Sequence, residues 1–224
     1  VVRSSAAESA RTPQEWDSLA RREPDGHRRA EIYEEGVRTL PKSAEMATLA
    51  ALFLEGSGAT ERQAEDLHFR AVALSPADGA ALANCANFLT DIRQDHNGAA
   101  ELYARALDAD PDRVATLGNY ANCLRNVRQD YDAAEALYKR ALEQDPTHAN
   151  HLCNYANFLT HNREDHATAE RLYRRASEAD PDNVNILRDY ADFLMNVRQD
   201  YSTADALLAR ALELDPADTD ESLF

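Results

Sequence analysis

The chain has 224 residues, only seven of them Gly and eight Pro, and Ala, Leu, Glu, Asp and Arg dominate its composition. This composition favours helices and leaves few turn residues for a β protein. A formal net charge of −16 repels phosphate backbones and anionic lipid heads, so it argues against nucleic-acid binding and favours basic or neutral partners. The longest apolar run, about residues 47–54, is too short to span a membrane, and no signal peptide is visible.

Motifs of catalysis and metal binding do not stand out in the sequence. Cys85, Cys123 and Cys153 are odd in number and lack CxxC spacing, which favours reduced thiols in an intracellular, cytoplasmic protein. No glycine-rich phosphate loop, GxSxG elbow or HExxH helix occurs, so we expect neither an enzyme nor a cofactor. His148 and His151 are three residues apart but have no third ligand in register, so we interpret them as surface histidines.

Prolines recur every 35 residues and divide the chain into units, because proline cannot continue a helix. They are Pro41, Pro76, Pro111, Pro146, Pro181 and Pro216. The predicted units cover about residues 12–41, 42–76, 77–111, 112–146, 147–181 and 182–216. We expect residues 1–11 to be disordered, and residues 217–224 to form an acidic tail or the start of a further unit.

Each unit is predicted to fold as two helices. In the unit after Pro111, helix A runs from about residue 112 to 126, a polar turn follows at 127–130, and helix B runs from about 131 to 144, each helix with apolar residues at helical spacing. We expect the tyrosines of helix B to be core residues; they are Tyr103, Tyr138 and Tyr173. The Arg and Asp that recur in every turn, such as Arg128 and Asp130, are expected to hold that turn by hydrogen bonds.

This pattern resembles the tetratricopeptide repeat. The matching positions are Leu117, Tyr120, Ala121, Leu124, Ala134, Tyr138, Ala141 and Pro146. The resemblance implies an all-α, right-handed superhelical solenoid of about six antiparallel helix hairpins, with helix A of every unit on the concave side. The period is 35 and not 34, so we place the extra residue in the A–B turn, where Arg-(Gln/Glu)-Asp replaces the usual glycine. The first unit, with Trp16 and Tyr33, resembles the half-a-tetratricopeptide repeat.

Helix A also carries a recurring pair of asparagines opposite its core face. We call the earlier residue of each pair the first asparagine and the later one the second asparagine. The first asparagines are Asn84, Asn119 and Asn154, and the second are Asn87, Asn122 and Asn157; Asp189 and Asp192 take these places in the last unit. Asn costs roughly 0.5–0.7 kcal/mol relative to Ala in a helix, so a role should offset it. The Asn amide offers a hydrogen-bond acceptor and two donors, which complement the N–H and C=O of a peptide unit. This match predicts that the asparagines bind a partner, and a purely structural role of the asparagines remains the alternative.

These segments resemble the asparagine-lined helices of tetratricopeptide superhelices that hold extended peptides, such as the repeat domain of O-linked N-acetylglucosamine transferase. By that resemblance the asparagines contact the backbone of a bound segment. A carboxylate clamp is rejected, because the clamp positions of the family hold no basic pair in this chain. Arg125 and Arg188 are the only cations expected near the groove, whose C-terminal end is made acidic by Asp189 and Asp192. A Lys- or Arg-bearing segment would suit that end.

Three functions follow from the sequence. The first is a protein–protein interaction scaffold that binds an extended protein or peptide segment through the asparagine row, and the acidic end of the groove favours a basic segment. The second is an assembly module that self-associates into a homo-oligomer, or docks in a larger complex, through uncapped terminal repeats, since the last helix B would expose its outer flank. The third is a recruiting part of a larger enzyme.

Overall fold

The computed structural model describes residues 11–56 and 61–216. Within these ranges there are twelve helices and no β-strand, which confirms the predicted all-α class of antiparallel helix hairpins. No helix in the described ranges is both long and apolar enough to cross a bilayer. The N-terminal segment that was expected to be disordered, apart from residue 11, and the tail at 217–224 lie outside the described residues.

The chain divides after Pro111 into two compact units, and helices that correspond to A and B alternate in each. The first unit contains α1 (Pro13–Arg22), α2 (Gly26–Thr39), α3 (Ala44–Gly56), α4 (Glu61–Leu74), α5 (Gly79–Asp91) and α6 (His96–Ala109). The second contains α7 (Val114–Cys123), α8 (Tyr131–Gln144), α9 (Ala149–Phe158), α10 (His166–Ala179), α11 (Val184–Phe193) and α12 (Tyr201–Leu214).

Small and aromatic side chains alternate in the core of each hairpin. Ala134 and Ala141 of α8 are fully buried, and they allow α7 and α8 to approach closely, while the ring of Tyr138 fills the space between the helices. Tyr103 and Tyr173 have the same positions in α6 and α10 and are equally buried. The prediction that these tyrosines are core residues is therefore confirmed.

The A–B turn contains the extra residue of the 35-residue period. Helices α7, α9 and α11 each end in a π-helical turn, at Leu124–Arg128, Leu159–Arg163 and Leu194–Arg198. A π turn takes in one residue more than an α turn. The residue after each of these turns adopts a left-handed φ between 51° and 57°, a conformation that glycine adopts without strain; these residues are Gln129, Glu164 and Gln199. Gln94 after α5 has the same left-handed φ, although α5 does not end in a π-helical turn.

The recurring Asp and Arg of the turn have different tasks. Asp165 caps α10 by accepting a hydrogen bond from the Thr168 backbone N–H at 3.1 Å. Arg163 instead reaches the preceding helix α8, where its Nε donates to Glu135 Oε2 at 2.8 Å. The expectation that both residues hold their own turn is therefore wrong for Arg163, whereas the side chain of Arg128 lies outside the described part of the chain. The arginine does not pair with the aspartate of its turn, because that carboxylate caps the next helix, whereas carboxylates of the preceding hairpin lie within reach of the guanidinium. Arg93 and Arg198 form equivalent ion pairs with the preceding hairpin.

Candidate partner-binding groove

The helix-A face of the second unit forms a groove, which we call the helix-A groove, along α7, α9 and α11. Asn119, Asn154 and Asp189, which share the first-asparagine position, line one cavity of about 370 Å³. Two further cavities, of about 510 and 160 Å³, are also lined by Asp189 and by the second asparagine Asn157. The structure thus brings Asn119, Asn154 and Asn157 together around Asp189.

The first asparagines are half-buried, and two of them have amides that no neighbour uses. Among the described residues, the side chains of Asn84 in α5 and Asn154 in α9 make no hydrogen bond. An amide carries two donors and an acceptor with two lone pairs. In the helix-A groove, Asn154 therefore presents its full hydrogen-bonding capacity to whatever occupies the cavity.

The second asparagines are tied into the hairpin, which differs from the expected pair of solvent-facing amides. The buried hydroxyl of Tyr138 donates to Asn122 Oδ1 at 2.5 Å. The same bond joins Tyr103 to Asn87 at 2.6 Å and Tyr173 to Asn157 at 2.5 Å. In each case the two residues are 16 positions apart, one on helix A and one on helix B. The structural alternative therefore has direct support at the second position.

In the remaining three hairpins, the bond is present only where helix B has the tyrosine. In the first hairpin, Asp17 accepts from Tyr33 at 2.6 Å, so this unit has the same bond although it matches the repeat pattern poorly. The second hairpin has His68 at the tyrosine position and Leu52 in place of the asparagine. The last hairpin has Leu208 at that position. Asp192 is consequently the one acidic or amide residue at the second position in the described chain that has no tyrosine partner.

The acidic end of the groove combines one engaged and one exposed carboxylate. Asp189 Oδ2 accepts a hydrogen bond from Asn157 Nδ2 at 2.7 Å and another from the thiol of Cys153 at 3.2 Å. The side chain of Asp192 remains exposed. Partial removal from water, and then the charge of Asp189, raise the pKa of Asp192 above its ordinary value. A cation near this pair would relieve that repulsion.

The two cations predicted near the groove are placed differently. Arg125 lines the cavity of about 510 Å³, and its Nε donates to Asn126 Oδ1 at 2.9 Å. Arg188 is half-buried on α11, and it does not line the cavities around Asp189. Of the two, Arg125 is therefore the one in a position to meet an occupant of the groove.

His148 and His151 lie at the edge of the same groove but have no metal-binding geometry. No cluster of three His, Cys, Asp or Glu side chains suited to a metal ion occurs among the described residues. The interpretation of both as surface histidines is wrong for His151, which is only 4% exposed. Its ring lies against Gly118, where an added Cβ would collide with Nδ1 of the ring. Burial, together with the charge of His148, lowers the pKa of His151 to about 4.

Sequence reasoning missed two kinds of residue at this site. Asn150 and Asn185, one turn before the first-asparagine position, also line the cavity of about 370 Å³ and add two exposed amides. Their common register was the available signal. For the tyrosine ties, the sequence holds only a weak signal, which is the joint loss of tyrosine and asparagine in the second hairpin.

Comparison with solved structures gives proteins of the same fold. PilF of Pseudomonas aeruginosa is 16% identical, with a TM-score of 0.73 and 92% of each chain covered. YrrB, described as a TPR protein with an unusual peptide-binding site, is 16% identical with a TM-score of 0.58, covering 84% of this chain and 95% of its own. MamA of Desulfovibrio magneticus RS-1 is 14% identical with a TM-score of 0.61, covering 79% and 97%. At these identities the likeness shows the fold alone.

Sequence comparison points to one repeat family. No curated protein sequence matches significantly. Two family models described as tetratricopeptide repeat match residues 93–149 and 137–171, and a third, described as TmcB, TPR repeats, matches residues 167–221. The three matches overlap and fall on the helix hairpins described above. The chain therefore belongs to the tetratricopeptide-repeat family.

Proposed function

We propose that this protein is a non-catalytic scaffold whose second unit holds an extended, basic segment of a partner protein in the helix-A groove. The observation that carries the proposal is the position of Asp189, which replaces a first asparagine and lines all three cavities of the groove. The tetratricopeptide repeats are by themselves typical of protein–protein interaction. YrrB is described as having a peptide-binding site, which supports, by analogy, the binding of a peptide segment by this protein.

The groove offers two kinds of contact to such a segment. The amide of Asn154 can pair with the C=O and N–H groups of an extended backbone without selecting its side chains. Asp189 retains an oxygen, Oδ1, that makes no hydrogen bond among the described residues, and Asp192 lacks the tyrosine that ties its counterparts. A Lys or Arg side chain of the segment can donate to both carboxylates. The amides then give affinity, and the acidic pair selects the basic residue.

The test uses a library of extended peptides, each roughly ten residues long and about 33 Å in span. With the unaltered chain we expect enrichment of Lys or Arg at one position of the selected peptides. The double variant Asp189→Asn with Asp192→Asn, which restores the residues of the other repeats, should lose that enrichment while keeping its fold. Asn154→Ala should lower the affinity for the selected peptides about tenfold.

The variants also separate binding from a structural role. Asn154→Ala removes an amide without a bond in the described chain, so the melting temperature should stay equal or rise. If basic residues are enriched equally by the unaltered chain and the double Asn variant, the acidic pair does not select the partner. If Asn154→Ala melts much earlier, the first asparagine is structural.

A second candidate function is assembly through the last hairpin. Tyr131 at the start of α8 packs edge-on against Phe158 of the next hairpin, with ring centroids 6.2 Å apart. Tyr201 has the same position in α12 but is 59% exposed, and Leu212 is 48% exposed. This apolar flank could contact another copy or another subunit. Light scattering over a dilution series tests it, since a constant monomer mass at all concentrations removes self-association.

We also propose that the protein works in a reducing, intracellular compartment such as the cytoplasm. Its three cysteines are buried, and none of them is in a disulfide among the described residues. Burial raises the pKa of Cys85 to about 12, which keeps the thiol protonated and unreactive. Mass spectrometry after thiol alkylation of the native protein from its source cells should find all three cysteines unmodified by disulfides.

A further inference from the structure

A separate groove lies in the first unit, between α2 and α4, which are the second helices of the first two hairpins. We call it the B-helix groove. Both α2 and α4 pack against α3 and leave a cavity of about 550 Å³ between them. This volume is within the range of about 300–1,000 Å³ that is usual for ligand sites. Its apolar lining comes from Tyr33, Val37, Ala50, Leu54 and Leu67.

Charged residues line the rim of this groove in the same order on both walls. On α2, Glu34 precedes Arg38 by four residues, and on α4 Asp66 precedes Arg70 by four. Such pairs often join across one helical turn, as Asp17 and Arg21 do at 2.7 Å. Among the described residues, Glu34, Arg38 and Asp66 nevertheless form no ion pair. Three rim charges are therefore available to an occupant.

Arg70 differs from the other rim charges because it is anchored. Its guanidinium donates to the Pro41 backbone oxygen at 2.6 Å, and Pro41 lies at the end of the same groove. Arg105 and Arg175 make the corresponding bond to Pro76 and Pro146. The bond therefore belongs to the repeat architecture, whereas Glu34 and Arg38 have no charged counterpart one repeat later, where Phe69 and Ala73 take their places.

The backbone chemistry of the walls decides what kind of segment fits. Both walls are α-helices, whose backbone groups are already hydrogen-bonded within the helix. An extended segment would find no backbone partners there and no row of amides like that of the helix-A groove. A helical segment satisfies its own backbone and needs only an apolar face. The part of α2 that lines the groove, from Ala30 to Arg38, is about 12 Å long at 1.5 Å per residue, which matches a little over two helical turns.

We propose that the B-helix groove docks an amphipathic helix of a partner protein, with its apolar face in the groove. The docked helix carries a basic side chain beside Glu34 and Asp66, and an acidic side chain one helical turn away beside Arg38. The paired charges on the two walls fix the position of the helix along the groove. A small apolar molecule is a poorer fit, because it would leave these charges without a partner. A second copy of this chain is the alternative occupant, and it would make the groove a dimer interface.

The test uses two fluorescein-labelled helical peptides of about three turns, identical except at two positions one turn apart. One peptide has Lys and Glu there, and the other has Gln at both. Fluorescence anisotropy with the whole chain should show the Lys/Glu peptide binding about tenfold more tightly. The triple variant Glu34→Gln, Arg38→Gln, Asp66→Asn should abolish that difference and still bind both peptides weakly.

A second variant tests the apolar part of the groove. Val37→Asp places a charge in the lining and should abolish binding of both peptides, whereas Leu19→Asp, at a leucine of α1 that is 38% exposed and outside the groove, should not. Circular dichroism checks that both variants fold. The proposal is overturned if the two peptides bind equally, or if binding survives Val37→Asp. A concentration-dependent dimer that Val37→Asp dissociates would also overturn it, because a second copy would then occupy the groove.

Discussion

The hydrogen bond between Tyr138 and Asn122 joins the two helices of one hairpin and can be removed from either end. The Tyr138 ring is fully buried, and burial raises the pKa of its hydroxyl to about 12, so the hydroxyl remains a protonated donor at neutral pH. In Asn122→Ala this donor loses its acceptor, and an unsatisfied buried donor costs about 1–3 kcal/mol. Ala regains about 0.5–0.7 kcal/mol of helix propensity, so we expect a net destabilisation of about 1.5 kcal/mol.

Removing the hydroxyl of Tyr138 should destabilise the protein less than removing the amide of Asn122. In Tyr138→Phe the group left behind is the amide of Asn122, which is half-buried and can bind water, so we expect a cost of about 0.5–1.5 kcal/mol. The double variant removes both partners together. It should be more stable than Asn122→Ala by about 1 kcal/mol, because no buried donor remains. Urea unfolding followed by circular dichroism gives these differences from midpoint shifts at unchanged slope.

Asn154→Ala is the matched control for this cycle. Its amide is at the first position of the next repeat and makes no hydrogen bond within the described chain, so the substitution should leave stability unchanged or raise it by up to about 0.7 kcal/mol. Equal changes in the free energy of unfolding for Asn122→Ala and Asn154→Ala would contradict a stabilising bond at Asn122. A double-mutant cycle without coupling between Asn122 and Tyr138 would contradict it as well.

Three further predictions concern the core and the turns. Between about pH 6.5 and pH 4 the unfolded chain binds a proton at His151 that the folded chain does not, so the free energy of unfolding should fall by about 3 kcal/mol as the pH drops through this window. His151→Ile, which copies the residue at position 186, should remove that part of the pH dependence in urea unfolding at the two ends of the window; an unchanged profile contradicts the prediction. Gly118→Ala should destabilise by about 2 kcal/mol in the same assay, because the new Cβ collides with the His151 ring, and wild-type stability would show that the ring moves freely. Glu164→Gly should stabilise by about 0.5–1 kcal/mol by thermal melting, because φ is 56° there, whereas Glu164→Val should destabilise; the reverse order would exclude backbone strain.

Much of the fold follows from the sequence because the repeats are nearly one-dimensional. The proline period separates the hairpins, and helix B of the fourth unit, expected at about 131–144, is observed at Tyr131–Gln144. The helical period also places Asn119, Asn154 and Asp189 on one face, and they line one cavity in the structure. Whether that face binds a partner stays a prediction, since position on a helix does not establish binding.

The sequence by itself determined which residues share a face of each helix, because a helix turns through a constant angle per residue. It did not determine which side chains meet across two helices, since that depends on how the helices cross and rotate. Only the tertiary structure showed that Asn122 bonds to Tyr138, that Arg163 reaches the preceding hairpin, and that His151 is buried against Gly118. These contacts join separate helices, so the periodicity of a single helix does not predict them.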